Sequence, residues 1–206
     1  MKKILLALAA AFSIQAVGFA GSNDSFILSK IESSNETVKS LTATFTADRT
    51  VTASGLKSTG KGDLYFTPGR LSMLYNTPAG EYFIINGNQM SMNRNGRKAV
   101  YDLTKTPMMS GLSKMLLSSI QGKVRTLAVD VNADIAVSET STSYVVTLTA
   151  KKKEVKGYAK IVITYSKTGC IIQSLETDEF SGVVTVYTMA GTKKNAAIDD
   201  GKFLVK

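Results

Sequence analysis

The chain has 206 residues, with 25 Lys and Arg against 16 Asp and Glu for a net charge of +9, a single Cys and no His or Trp. Without His there is no Ser-His-Asp triad, no Cys-His pair and no histidine metal ligand, and Cys170 on its own cannot form an internal disulfide. The neighbouring carboxylates, Asp199 with Asp200 and Glu176 with Glu179, sit in polar, turn-like stretches that read as solvated surface, so we expect no enzyme.

Residues 1–20 begin with Lys2 and Lys3, continue through an apolar run over residues 4–17, and end in Gly18-Phe19-Ala20, with small residues at the two positions a signal peptidase reads. This is the pattern of a secretory signal peptide. The run is short for a membrane span, and Ser13 and Gln15 interrupt it. Cleavage after Ala20 would leave residues 21–206 as a single domain, remove two lysines and no acid, and lower the net charge to +7. No Cys near that site could carry a lipid anchor, so the expected product is soluble and periplasmic. Secretion argues against nucleic acid as the partner of this positive charge, whereas anionic membrane surfaces or acidic proteins fit it.

Ser22 to Ser25 offer helix caps, and Phe26, Ile27, Ile31 and Val38 follow at helical spacing, which predicts an amphipathic helix ending near Lys39. From Leu41 the period changes to two, with Leu41, Ala43, Phe45 and Ala47 on one face of a strand. Residues 51–60 read as a polar turn region. Strands then follow at residues 62–66, 71–76, 81–85, 89–93 and 98–103. They are separated by turn signals at Thr67-Pro68-Gly69-Arg70, Thr77 to Gly80, Asn86-Gly87 and Asn95-Gly96. Gly60-Lys61-Gly62 lacks the spacing of a phosphate-binding loop.

Residues 106–124, TPMMSGLSKMLLSSIQGKV, carry the one long helical signal. Met108, Met109, Leu112, Met115, Leu116 and Ile120 share one broad face, Thr106 is a candidate N-cap, Pro107 suits the first helical position, and Gly122 is a plausible stop. Such a helix either fills a sheet core or lies as a lid over a cavity. Beyond it, residues 126–131, 135–138, 143–149, 158–165, 170–176 and 181–189 have strand character, and Lys151 to Lys153 with Lys156 read as a charged hairpin. Cys170 sits in an apolar run typical of a buried structural thiol.

About ten strands with two helices make a mainly β, α+β domain, whose sheet must curl and whose apolar face must be covered. The more apolar parity of each strand gives an inner surface of Phe45, Leu64, Phe66, Leu71, Met73, Tyr75, Met90 and Met92, facing Met108, Met109, Leu112, Met115 and Leu116 of the helix. Methionine is flexible and polarisable. It suits a surface that accommodates variable apolar ligands, and it serves equally as core filler.

The order of these parts resembles the LolA family of periplasmic lipoprotein carriers. The resemblance runs from the signal peptide and first helix through KGDLYFTPGRLSMLYNTPAGEYFIINGNQMSMN (residues 61–93) and the helix after it to ETDEFSGVVTVYTMAGTKKNAAIDDGKFLVK (residues 176–206). It implies an unclosed antiparallel β-barrel with a helical lid over an apolar cavity, no cofactor, and transfer of acylated lipoproteins or lipids between inner and outer membranes. It also implies an inner-membrane transporter, an outer-membrane receptor and transient contact with membrane surfaces. The thirteen inner-surface residues named above would be the ligand contacts. An envelope-sensing or scaffold protein that docks a protein partner on the same fold is the alternative. The family commonly has an Arg, bonded to the lid, immediately before the proline corresponding to Pro68; here Thr67 stands there, and the nearest Arg is Arg70.

Overall fold

The computed structural model describes residues 22–153 and 157–206; the expected signal peptide and Lys156 of the expected hairpin lie outside the described residues. α1 (Ser22–Glu36) precedes six strands, β1 (Leu41–Val51), β2 (Leu56–Thr67), β3 (Arg70–Thr77), β4 (Tyr82–Asn86), β5 (Gln89–Arg94) and β6 (Arg97–Asp102). Two helices follow, α2 (Pro107–Ile120) and α3 (Val124–Asp130). Five more strands complete the sheet, β7 (Ala133–Glu139), β8 (Ser143–Ala150), β9 (Tyr158–Ser166), β10 (Ile172–Glu179) and β11 (Val183–Lys194), before a 3-10 turn at Asp200–Phe203.

The eleven strands form one antiparallel sheet in the order β6-β5-β4-β3-β2-β1-β11-β10-β9-β8-β7. Every neighbouring pair except β1–β11 is consecutive in sequence, so local hairpins build two wings and one long-range pairing joins them. The wings end in β6 and β7, and the segment between those two strands is α2 and α3. A sheet this wide coils. A chain that must travel from one edge to the other can therefore lay two helices across its concave face, and that topology puts α2 where it is.

Register explains the inner face. Leu41, Phe66, Leu71, Ile85, Met90 and Tyr101 form one cross-strand row, and Ala43, Leu64, Met73, Phe83, Met92 and Ala99 form the next. The third row places Phe45 opposite Gly62 and Gly62 opposite Tyr75. An added Cβ at Gly62 would overlap the Leu74 carbonyl oxygen, and one at Gly60 would lie 2.6 Å from Tyr75 Cε1. The two glycines thus let β3 approach β2 closely across the register shift at Lys61/Gly62. The space they leave admits Tyr75, whose ring meets Phe45 edge-on at 4.9 Å and 84°.

Three expectations change. Residues 126–130 lie in α3 and Val131 caps it, rather than forming a strand, because Val124, Leu127 and Ala128 bury together at helical spacing. The turn expected over residues 51–60 is short, and β2 begins at Leu56. α1 buries Ile27, Leu28 and Ile31 and ends at Glu36, three residues before the expected stop, while Phe26 points to solvent. The outer face is covered in part as well. Phe203 is buried there, its carbonyl accepts from Asn86 Nδ2 at 3.2 Å, and the Tyr82 hydroxyl donates to the Lys206 carbonyl at 3.1 Å.

Candidate functional site

α2 begins with Pro107 at its first position; Thr106 occupies the cap position, but its side chain makes no capping bond. The helix ends as a Schellman motif, with Gly122 at φ 69°, the Lys123 amide donating to the Ser118 carbonyl at 2.9 Å and the Gly122 amide donating to Ser119 at 3.3 Å. Gly122 also lies against Ile31 and Asn35 of α1, where a side chain would not fit. This end of the helix is anchored to the sheet. The buried Tyr165 hydroxyl donates to the Ser119 carbonyl at 2.6 Å. α3, next along the chain, is tied to α1 through Arg125, which pairs with Glu32 and donates to the Ser25 carbonyl at 2.8 Å and the Ser29 hydroxyl at 3.1 Å.

Between α2 and the sheet lies a cavity of about 550 Å³. Leu112, Met115 and Leu116 form its roof, and Met73, Tyr75, Phe83 and Met92 form one wall. Tyr158, Thr177, Thr185 and Tyr187 of the other wing face them, and Ala47 and Gly60 lie between. Toward the hairpin ends the lining turns polar and partly exposed, with Arg49, Lys57, Ser58, Glu81, Arg94 and Glu179. The cavity therefore occupies one end of the concave face.

Of the thirteen residues expected to contact ligand, six line this cavity: Met73, Tyr75, Met92, Leu112, Met115 and Leu116. Phe45, Leu64, Phe66, Leu71 and Met90 share the same face but pack in the buried core, Phe66, Leu71 and Met90 one row further from the cavity and Leu64 and Phe45 beside its lining residues Met73 and Tyr75. Met109 is half-buried against that core, and Met108, on the first turn of α2, is exposed at 59%. Arg49, Arg94, Tyr158 and Tyr187 were not among the expected contacts, although the parities of β1 and β5 put both arginines on the inner face.

Burial raises the hydroxyl pKa of Tyr75, Tyr158 and Tyr187 above the ordinary tyrosine value, so all three enter the cavity as neutral groups. Arg70 plays no part in holding the helix. Its Nε donates to the Thr67 hydroxyl at 3.0 Å, its Nη1 pairs with Asp200 at 2.8 Å, and the guanidinium stacks 4.6 Å from the Phe203 ring. It therefore fastens the C-terminal turn, and the tie to α2 comes from Tyr165.

Solved structures with a similar course of chain include an uncharacterized conserved protein from Thermus thermophilus, with a TM-score of 0.52 at 8% identity, covering 88% of this chain and 93% of that one. A LolA superfamily protein from Nitrosomonas europaea (TM-score 0.41, 10% identity, 87% and 96% covered) and the lipoprotein LppX of Mycobacterium tuberculosis (0.45, 12%, 85% and 98%) are more distant in shape. Identities this low speak for fold alone. No curated protein matches the chain. The family model described as outer membrane lipoprotein carrier protein LolA matches residues 36–206, all of the described chain after α1, and the protein belongs to the LolA family.

Proposed function

We propose that this protein is a non-enzymatic periplasmic carrier that shelters the acyl chains of lipoproteins or lipids beneath α2 while they pass from the inner to the outer membrane. The observation that carries the reading is the apolar-roofed cavity of about 550 Å³ between α2 and the sheet of a LolA-family chain. Membership of that family supports a lipoprotein-carrying or lipoprotein-binding role in general. Among the described residues no helix is long and apolar enough to cross a membrane.

Each acyl methylene exposed to water costs about 0.8 kcal/mol, so one chain of about 14 carbons faces roughly 11 kcal/mol in transit. A cavity of this size lies within the range of about 300 to 1,000 Å³ typical of ligand pockets. A cargo with several chains needs more room, and the arrangement can provide it. α2 is bonded to the sheet at its C-terminal end, while its first turn carries the exposed Met108. Met73, Met92 and Met115 can re-pack around chains of different length. An inner-membrane transporter would load such a carrier and an outer-membrane receptor unload it, with the net charge of +7 left after cleavage favouring visits to anionic surfaces.

Purification from cells followed by mass spectrometry of the extracted ligand tests the reading, alongside displacement of a bound fluorescent probe by acyl compounds. Co-purified acylated material and saturable displacement support it. A protein that carries no acyl species and binds none overturns it.

A further inference from the structure

The cavity has a polar wall that an acyl chain does not need. Arg49 lies on the inner face of β1 opposite Ser58 of β2 and Thr185 of β11, and all three line the cavity. Arg94 ends β5 two residues beyond Met92, on the same face. Among the described residues neither guanidinium has an ion-pair or hydrogen-bond partner. Two carboxylates line the same cavity, and each accepts one hydrogen bond from elsewhere: Glu81 Oε1 from the Asn95 amide of the β5–β6 turn and Glu179 Oε2 from the Ser181 hydroxyl, both at 2.8 Å.

Three tyrosines complete the wall. Tyr75, Tyr158 and Tyr187 line the same cavity, and among the described residues none of their hydroxyls donates to a protein acceptor. Burial keeps them protonated, and Arg94 lines the same cavity as Tyr75 and Tyr187. Two guanidinium forks and three phenols thus present donors with no protein acceptor, beside an apolar roof. That combination suits an amphiphile whose head is an anion and whose tail is a hydrocarbon.

We propose that Arg49 and Arg94, with Tyr75, Tyr158 and Tyr187, form a subsite for an anionic head group, a carboxylate or a phosphate, of an acyl ligand whose chain lies against Met73, Met92, Leu112 and Met115. The inference rests on the carrier reading and narrows the class of its cargo. A head held at the polar end fixes the direction in which the chain enters, tail first under α2.

The test is competition against N-phenyl-1-naphthylamine, an uncharged fluorescent probe, by three ligands of equal chain length: palmitate, palmitoyl-lysophosphatidylglycerol and uncharged monopalmitoylglycerol. At least one anionic ligand is expected to bind about tenfold tighter than the uncharged one, as a charge-assisted bond contributes. That preference should shrink in high salt. Preference for palmitate alone identifies a carboxylate head, and preference for the lysophospholipid alone identifies a phosphate head. Arg49→Gln with Arg94→Gln should abolish the preference between anionic and uncharged ligands, with circular dichroism and thermal unfolding showing that the variant is folded. Equal affinities for all three ligands, or a preference that survives the double substitution, overturn the subsite while leaving the carrier reading in place. Binding of none of the three overturns both.

Discussion

Leu112 separates a lid from a core helix. It is half-buried on α2 and lines the cavity roof, so Leu112→Asp puts a carboxylate where an acyl chain would lie. In the empty protein water reaches that carboxylate. The stability loss is then part of one leucine's burial, roughly 1 kcal/mol, plus roughly 0.5 kcal/mol of helix propensity. For a domain of this size that is about 3 to 6 °C in Tm. Filling the cavity strips the carboxylate of water, and a penalty of about 3 kcal/mol weakens binding roughly 150-fold. Thermal unfolding and titration with uncharged monopalmitoylglycerol on the same preparations measure the two effects. Leu64→Ala is the comparison, since Leu64 is buried in the packed core and does not line the cavity. It should cost about 2 to 5 kcal/mol of stability and leave affinity nearly unchanged. Unaltered affinity in Leu112→Asp, or affinity that falls with stability by the same rule in both variants, would refute the lid.

Gly62→Ala should lower Tm by about 6 °C or more, because its Cβ meets the fixed Leu74 carbonyl, whereas Gly60→Ala should lower it less, since the obstacle is the movable Tyr75 ring. Tyr165→Phe removes one of the two donors to the Ser119 carbonyl, the Gly122 amide remaining, and should cost about 0.5 to 1.5 kcal/mol in denaturant unfolding; amide exchange should speed up chiefly at the C-terminal end of α2. Burial also raises the hydroxyl pKa of Tyr165, as it does for Tyr75, Tyr158 and Tyr187, so the folded chain keeps protons that the unfolded chain sheds from pH 10.0 upward. Stability should be insensitive to these groups below that pH and fall above it by about 1.4 kcal/mol per pH unit for each tyrosine. Alkaline titration monitored by circular dichroism measures the fall, and Tyr165→Phe should make it shallower.

Strand parity and turns were legible in the sequence because both are set locally. Alternation from Leu41 to Ala47, the Asn86-Gly87 and Asn95-Gly96 signals and the Gly122 stop each depend on a few adjacent residues. α3 was not legible, because a short segment of Val, Thr and Leu satisfies strand propensity as well as helical spacing, and packing beside α2 decided between them. Parity also says which face a side chain takes and not how far along the strand the helices cover it. For that reason Phe66 and Met90 pack in the core while Met73 and Met92 line the cavity. The polar wall was hidden for a different reason. Arg49 and Tyr187 come together only through the β1–β11 pairing, which joins strands from opposite ends of the chain and leaves no local trace.

The resemblance implies an arginine immediately before Pro68 that bonds the lid, and Thr67 stands in that position. In its place, Tyr165 from β9 bonds the end of α2, and Arg125 bonds α3 to α1. Both bonds lie at or beyond the C-terminal end of α2. On the carrier reading, movement of the first turn of α2 would leave them intact.

The central claim is that acyl chains lie beneath α2, and photo-crosslinking in the native host tests it most directly. A benzophenone side chain placed at Leu112 should capture acylated lipoproteins or lipids, identified by mass spectrometry, whereas the same group at the exposed Val100 of β6 should not. Capture of one non-acylated membrane protein from Leu112, or equal capture from both positions, would contradict the account.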